Sequence, residues 1–99
     1  MGKVFFMISS PFAANSIGLV KVFSDGSEDA AILCEDGIYW AVNEEKRKEL
    51  SDNVDKVYAV GESLLARGFD LEDAEDVGII TYDDMVDLIM ERYDKVIMA

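Results

Sequence analysis

The chain has 99 residues, 51% of them hydrophobic, with 9 Lys and Arg against 21 Asp and Glu for a formal charge of −12. That hydrophobic share excludes a disordered chain, and the length suits one domain, expected over residues 1–99. The acidic excess excludes a binder of phosphate backbones, and the absence of histidine removes Ser-His-Asp and Cys-His nucleophiles and imidazole metal sites.

Residues 4–8, Val-Phe-Phe-Met-Ile, are apolar and rich in β-formers, and Ser9, Ser10 and Pro11 close them, so they read as a buried strand. The run is too short for a signal-peptide core or a bilayer span, and a cytoplasmic location with no membrane contact is expected. Asn15 and Ser16 suit a helix N-terminus; Ile17, Val20 and Phe23, with Leu19 beside them, then recur at helical spacing. The cluster Ser24, Asp25, Gly26 and Ser27 stops that helix. Residues 30–34, Ala-Ala-Ile-Leu-Cys, form a second strand before the Asp36-Gly37 turn. Residues 38–42, Ile-Tyr-Trp-Ala-Val, fit strand or helix, and a short helix preserves the βα alternation. Residues 44–55 read as a charged, solvated loop with at most a helical turn.

Residues 56–60 are a third strand, and a helix carrying Leu64 and Leu65 follows, with Gly68 as its stop. An acidic connection over residues 70–76 leads to a fourth strand, Val-Gly-Ile-Ile, at residues 77–80. Thr81 caps a helix with Met85, Leu88, Ile89 and Arg92 on one face, and residues 95–98 suit a fifth strand. Wholly apolar short runs alternating with amphipathic helices predict an α/β fold: a three-layer α/β/α sandwich around a mostly parallel, about five-stranded sheet.

Cys34 is the single cysteine, which rules out an intrachain disulfide and fits a reducing compartment. At the carboxyl end of a parallel strand it stands where α/β folds place sites, yet Glu35 and Asp36 beside it disfavour a thiolate. A buried strand-end residue is the preferred reading, with a sulfur-handling thiol as the alternative. The acidic residues Asp70, Glu72, Asp73, Glu75 and Asp76 lack the central Gly and ligand alternation of a calcium loop. Asp83 and Asp84 suit the first turn of a helix, favourable to its dipole. No Gly-rich phosphate loop occurs, and no metal or cofactor is expected. Ile38, Tyr39 and Trp40 make a dense apolar and aromatic patch that divides between core and subunit interface. Residues 1–50 carry a net charge of −3 and residues 51–99 a net −9, so the second half presents an acidic face suited to a basic partner.

Several stretches together resemble one family: Ser9-Ser10-Pro11-Phe12, Glu35-Asp36-Gly37-Ile38-Tyr39-Trp40-Ala41, Lys56-Val57-Tyr58-Ala59-Val60, Leu65-Ala66-Arg67-Gly68-Phe69, and residues 80–88 from Ile80 to Leu88. In order and at matching length, they resemble the DsrH/TusB proteins of the DsrE/F/H–TusB/C/D sulfur-relay superfamily. The resemblance implies a three-layer α/β fold and assembly with DsrE/DsrF- or TusC/TusD-type subunits, or as a homo-oligomer. It implies a part in 2-thiolation of the tRNA wobble uridine or in sulfur oxidation, and the acidic charge argues against direct nucleic-acid contact in either. Sulfur-carrying siblings place a cysteine just after the third strand, where this chain reads Val60-Gly61-Glu62-Ser63. Some DsrH proteins have one in the first helix, which here reads Ile17-Gly18-Leu19-Val20-Lys21. The resemblance therefore implies a non-catalytic subunit, with Ile38, Tyr39, Trp40 and Tyr82 as interface candidates. The alternatives are a persulfide-carrying sulfurtransferase using Cys34 and a stand-alone binding or regulatory domain.

Overall fold

The computed structural model describes residues 2–12, 16–23, 28–74, 77–91 and 93–98. Five strands, β1 (Gly2–Met7), β2 (Ala30–Leu33), β3 (Lys56–Val60), β4 (Gly78–Ile80) and β5 (Tyr93–Met98), form one sheet in the order β4-β3-β2-β1-β5. Every pairing is parallel. The registers Met7 to Leu33, Leu33 to Ala59 and Ala59 to Ile79 run as one row across four strands. Their carboxyl ends are therefore level, and the residues that follow meet at one rim of the sheet.

Side chains alternate between the faces, as a pleated strand requires. Phe5, Met7, Ala31, Leu33 and Ala59 point to one side, where they pack with Val20, Trp40, Leu50 and Leu64 from the helices α1 (Ser16–Phe23), α2 (Tyr39–Val42), α3 (Glu44–Ser51) and α4 (Gly61–Ala66). Val4, Ala30, Ile32, Cys34 and Val60 point to the other, against Met85 and Ile89 of α5 (Tyr82–Glu91). The expected three-layer sandwich stands, and its sheet is parallel throughout. One layer is thin, since α5 is the helix packed on that face and none of its residues is fully buried.

Local signals account for the helix ends. Thr81 and Asp84 cap α5 reciprocally: the Asp84 N–H donates to Thr81 Oγ1 at 3.1 Å and the Thr81 N–H to Asp84 Oδ2 at 3.3 Å. Gly68 ends α4 with φ of +82°, its N–H bonded to the Leu65 carbonyl and that of Phe69 to the Leu64 carbonyl. Met85, Leu88 and Ile89 are half-buried as expected. Asn15, the cluster Ser24 to Ser27, and Arg92 lie outside the described residues.

Two local expectations need correction. The predicted loop over residues 44–55 is largely the helix α3. The Asn43 side chain accepts the Lys46 N–H at 3.0 Å, Glu44 and Glu45 occupy the first turn, and Leu50 is fully buried. A helix held by one buried side chain and its cap shows little hydrophobic periodicity, which is why a reading of apolar spacing passes over it. In α1, Val20 is buried and Ile17 half-buried, but Phe23 is exposed, so the buried stripe ends before it.

Candidate functional site

The rim formed by the carboxyl ends of β2, β3 and β4 gathers the chain's thiol and its nearest polar neighbours. Cys34 continues the β2 ladder for one residue, its N–H donating to the Met7 carbonyl at 3.1 Å. The chain then turns sharply. Glu35 takes φ of +52°, in the left-handed region, and a 3₁₀ turn runs over Glu35–Ile38. Gly37 is dictated by this turn: a Cβ there would lie 1.9 Å from the Met7 carbonyl oxygen, so β1 and the turn are in direct backbone contact.

Ser63, in the first half of α4, is 1% exposed and faces the turn. Its hydroxyl oxygen accepts the Glu35 N–H at 3.1 Å and lies 3.8 Å from Cys34 Sγ and 3.2 Å from the Tyr82 hydroxyl. Tyr82, the first residue of α5, donates its hydroxyl proton to Glu35 Oε1 at 3.1 Å, and its N–H to Glu62 Oε2 at 3.3 Å. The Cys34 thiol also reaches Glu35 Oε1, at 3.9 Å. Arg67 closes the group, pairing with Asp36 Oδ1 at 3.0 Å and Glu35 Oε2 at 3.4 Å. The Glu35 carboxylate is thus a shared acceptor for a thiol, a phenol and a guanidinium.

This environment favours the neutral thiol over the thiolate. Burial pushes the Cys34 thiol above its ordinary value, the Ser63 hydrogen bond opposes that, and the neighbouring Glu35 charge pushes it up again. Cys34 is 4% exposed, and Arg67, the cation at this rim, is paired with two carboxylates. A reactive thiol wants the opposite: access and an adjacent unpaired positive charge. Among the described residues, no three His, Cys, Asp or Glu side chains group as a metal site.

Sequence reading placed Cys34 at a strand end, where it is found, but not the side chains that surround it. Ser63 and Arg67 come from a different βα unit, and only the adjacency of β2 and β3 brings them to Glu35. The interface candidates divide. Ile38 and Trp40 are 0% and 1% exposed and pack in the core of the chain, the other of the two places weighed for them. Trp40 is buried so fully that its indole N–H has no hydrogen-bond partner among the described residues. Tyr39 is half-buried, its ring edge-on to Phe69 at 5.7 Å, while Tyr82 is the exposed member and belongs to the thiol network.

The family model described as DsrH like protein matches residues 9–96. The chain belongs to the DsrH-like family. Similar curated relatives include the protein TusB of Escherichia coli (strain Crooks), 32% identical over 89 residues and covering 89% of this chain and 92% of that protein. The protein TusB of Shigella sonnei is 35% identical over 84 residues, covering 84% and 86%. Of solved structures, protein Tm0979 from Thermotoga maritima superposes with a TM-score of 0.68 at 28% identity, over 91% of this chain and 93% of that one. MTH1491 from Methanobacterium thermoautotrophicum gives a TM-score of 0.71 at 19% identity over the whole of both chains, a likeness of fold alone. In this DsrH-like chain no helix among the described residues is long and apolar enough to cross a membrane. Its β3–α4 junction carries Ser63 and no thiol.

Proposed function

We propose that the chain is a non-catalytic subunit of a cytoplasmic sulfur-relay complex of the kind that supplies 2-thiolation of the tRNA wobble uridine. The observation that carries this reading is the setting of Cys34: the only thiol is buried and flanked by carboxylates, and burial and the Glu35 charge push its pKa up. Membership of the DsrH-like family, with TusB proteins among the relatives, supports the relay role. The partners on this reading are TusC- and TusD-type subunits, with self-association as the other form of assembly. Its charge of −12 assigns any contact with tRNA to other subunits.

A second reading has one observation in its favour. Cys34 ends a parallel strand beside Ser63, so a persulfide on Cys34 would sit at the rim where α/β proteins place their sites. One experiment separates the two. The purified chain and its sibling subunits from the same genome are mixed, sized by chromatography with light scattering, and exposed to a persulfide donor. The proposed function expects a mixed complex in which mass spectrometry finds added sulfur on a sibling and none on Cys34. A chain that stays monomeric beside its siblings, or sulfur loading on Cys34, overturns it.

A further inference from the structure

The strand β4 is an outer strand of the sheet, hydrogen-bonded on one side to β3. Its three residues, Gly-Ile-Ile, carry no Lys or Pro and pair with β3 without a bulge, so shortness is the guard this edge has against pairing with another chain. An open groove lies on each face of this edge. On the α4 side a volume of about 280 Å³ is floored by Leu65, Leu71 and Ile79 and rimmed by Glu62 and Asp84. On the α5 side a volume of about 300 Å³ is floored by Tyr58, Ile80 and Leu88 and rimmed by Asp84, Asp87 and Glu91. Leu65 is 57% exposed and Leu71 43%. Neither groove is lined by a Lys or Arg among the described residues.

An added strand satisfies all three features together. Its backbone would use the free donors and acceptors of β4, and its side chains, alternating in direction, would enter the two grooves in turn. The apolar floors set the character of its middle residues, and the carboxylate rims that of the residues on either side. A second copy of this chain is a poor occupant, because −12 would meet −12 at a rim of one sign. We propose that the outer edge of β4 is a docking site for an extended segment of a partner protein in which a short apolar run is flanked by Lys or Arg. The inference holds whether or not the chain works beside sulfur carriers, since it rests on the edge, the grooves and their charge.

The test uses the full chain, isotope-labelled for amide NMR, and the end-capped peptide Arg-Lys-Ile-Val-Leu-Lys-Arg as probe. Two control peptides carry Glu at every basic position, or Ser at the three apolar ones. The basic-apolar peptide is expected to shift the amides of Gly78, Ile79 and Ile80, with both controls at least about tenfold weaker. Its affinity is expected to fall with added salt, and about tenfold in a chain carrying Asp87→Lys and Glu91→Lys. The peptide series needs no variant, so it stands even if that double substitution unfolds the chain. No binding, shifts confined to other elements, equal binding by either control, or indifference of a folded double variant overturns the proposal. Shifts at these amides that grow with protein concentration alone assign the edge to a second copy, and overturn it too.

Discussion

Gly37→Ala tests the reasoning about the thiol site most directly. The new methyl carbon would stand 1.9 Å from the Met7 carbonyl oxygen and 2.7 Å from its carbon. Carbon and oxygen rest comfortably at about 3.3 Å, so the 3₁₀ turn and the end of β1 must part by more than about 1 Å. The movement strains the Cys34 N–H to Met7 carbonyl bond of 3.1 Å, the one that carries the ladder past Leu33. A lost backbone hydrogen bond and a forced displacement in a packed core together amount to about 3–4 kcal/mol. For a chain of this size that is a fall of roughly 15–25 °C in Tm by circular dichroism. Cys34, released from its cover, should react faster with a thiol reagent under native conditions. Gly68→Ala is the matched control: φ is +82° but nothing lies within 4 Å of the new carbon. It should cost only about 1 kcal/mol and leave thiol labelling unchanged. A fall of under about 4 °C for Gly37→Ala with unaltered labelling would refute the close approach of β1 and the turn.

Leu50→Ala should cost about 2–5 kcal/mol in urea unfolding if α3 packs as described, whereas a solvated loop would lose almost nothing. Asp29, fully buried, accepts the Lys3 N–H at 2.9 Å and sits 3.8 Å from Lys3 Nζ; Asp29→Ala should cost about 3 kcal/mol and Asp29→Asn clearly less, a ranking that equilibrium denaturation checks. Ser63→Ala leaves the Glu35 N–H without its acceptor, at about 1–2 kcal/mol, and removes the hydroxyl that pulls the Cys34 pKa down most, ahead of that of Tyr82, so the pH midpoint of thiol labelling should rise. Because the folded pKa of Cys34 is raised, the neutral thiol contributes stability that is complete below the unfolded value and is lost as pH climbs through the folded one; Cys34→Ala should remove that alkaline component of a Tm-against-pH curve.

The strands and the capped helix α5 were legible because each has its own local signature. Residues 30–33 are apolar throughout and end at a turn, and Thr81 stands three residues before its reciprocal partner Asp84. The helix α3 was not, because its stability comes from Asn43 and one buried leucine rather than from an apolar stripe. The place of Trp40 and Ile38 was left open for a related reason: an aromatic run looks alike from sequence whether a 3₁₀ turn and a short helix fold it inward or leave it out. The partners of Cys34 were beyond local reading. Ser63 lies 29 residues away and Tyr82 a further 19, and only the level strand ends bring them within hydrogen-bond range.

The strand-end geometry that gathers these groups also works against a thiolate at Cys34. A parallel sheet turns one rim toward its sites, and in this chain the rim is supplied with carboxylates: Glu35 and Asp36 after β2, Glu62 after β3, Asp84 after β4. Arg67 is bound to the first two and is not free to stabilise a thiolate. Making Cys34 nucleophilic would require breaking the Arg67 pairs, uncovering the sulfur and moving Glu35 away, three changes that act against one another. Freeing Arg67 leaves Glu35 more exposed as a negative neighbour, and displacing Glu35 takes with it the anchor of Tyr82 and the start of α5. The same excess of carboxylates that disfavours a thiolate continues onto the β4 edge through Glu62 and Asp84, where the proposed docking segment would meet it with Lys or Arg. Charge that is costly for sulfur chemistry at Cys34 is thereby an asset for recognition, the combination that the proposed role as a non-catalytic subunit requires.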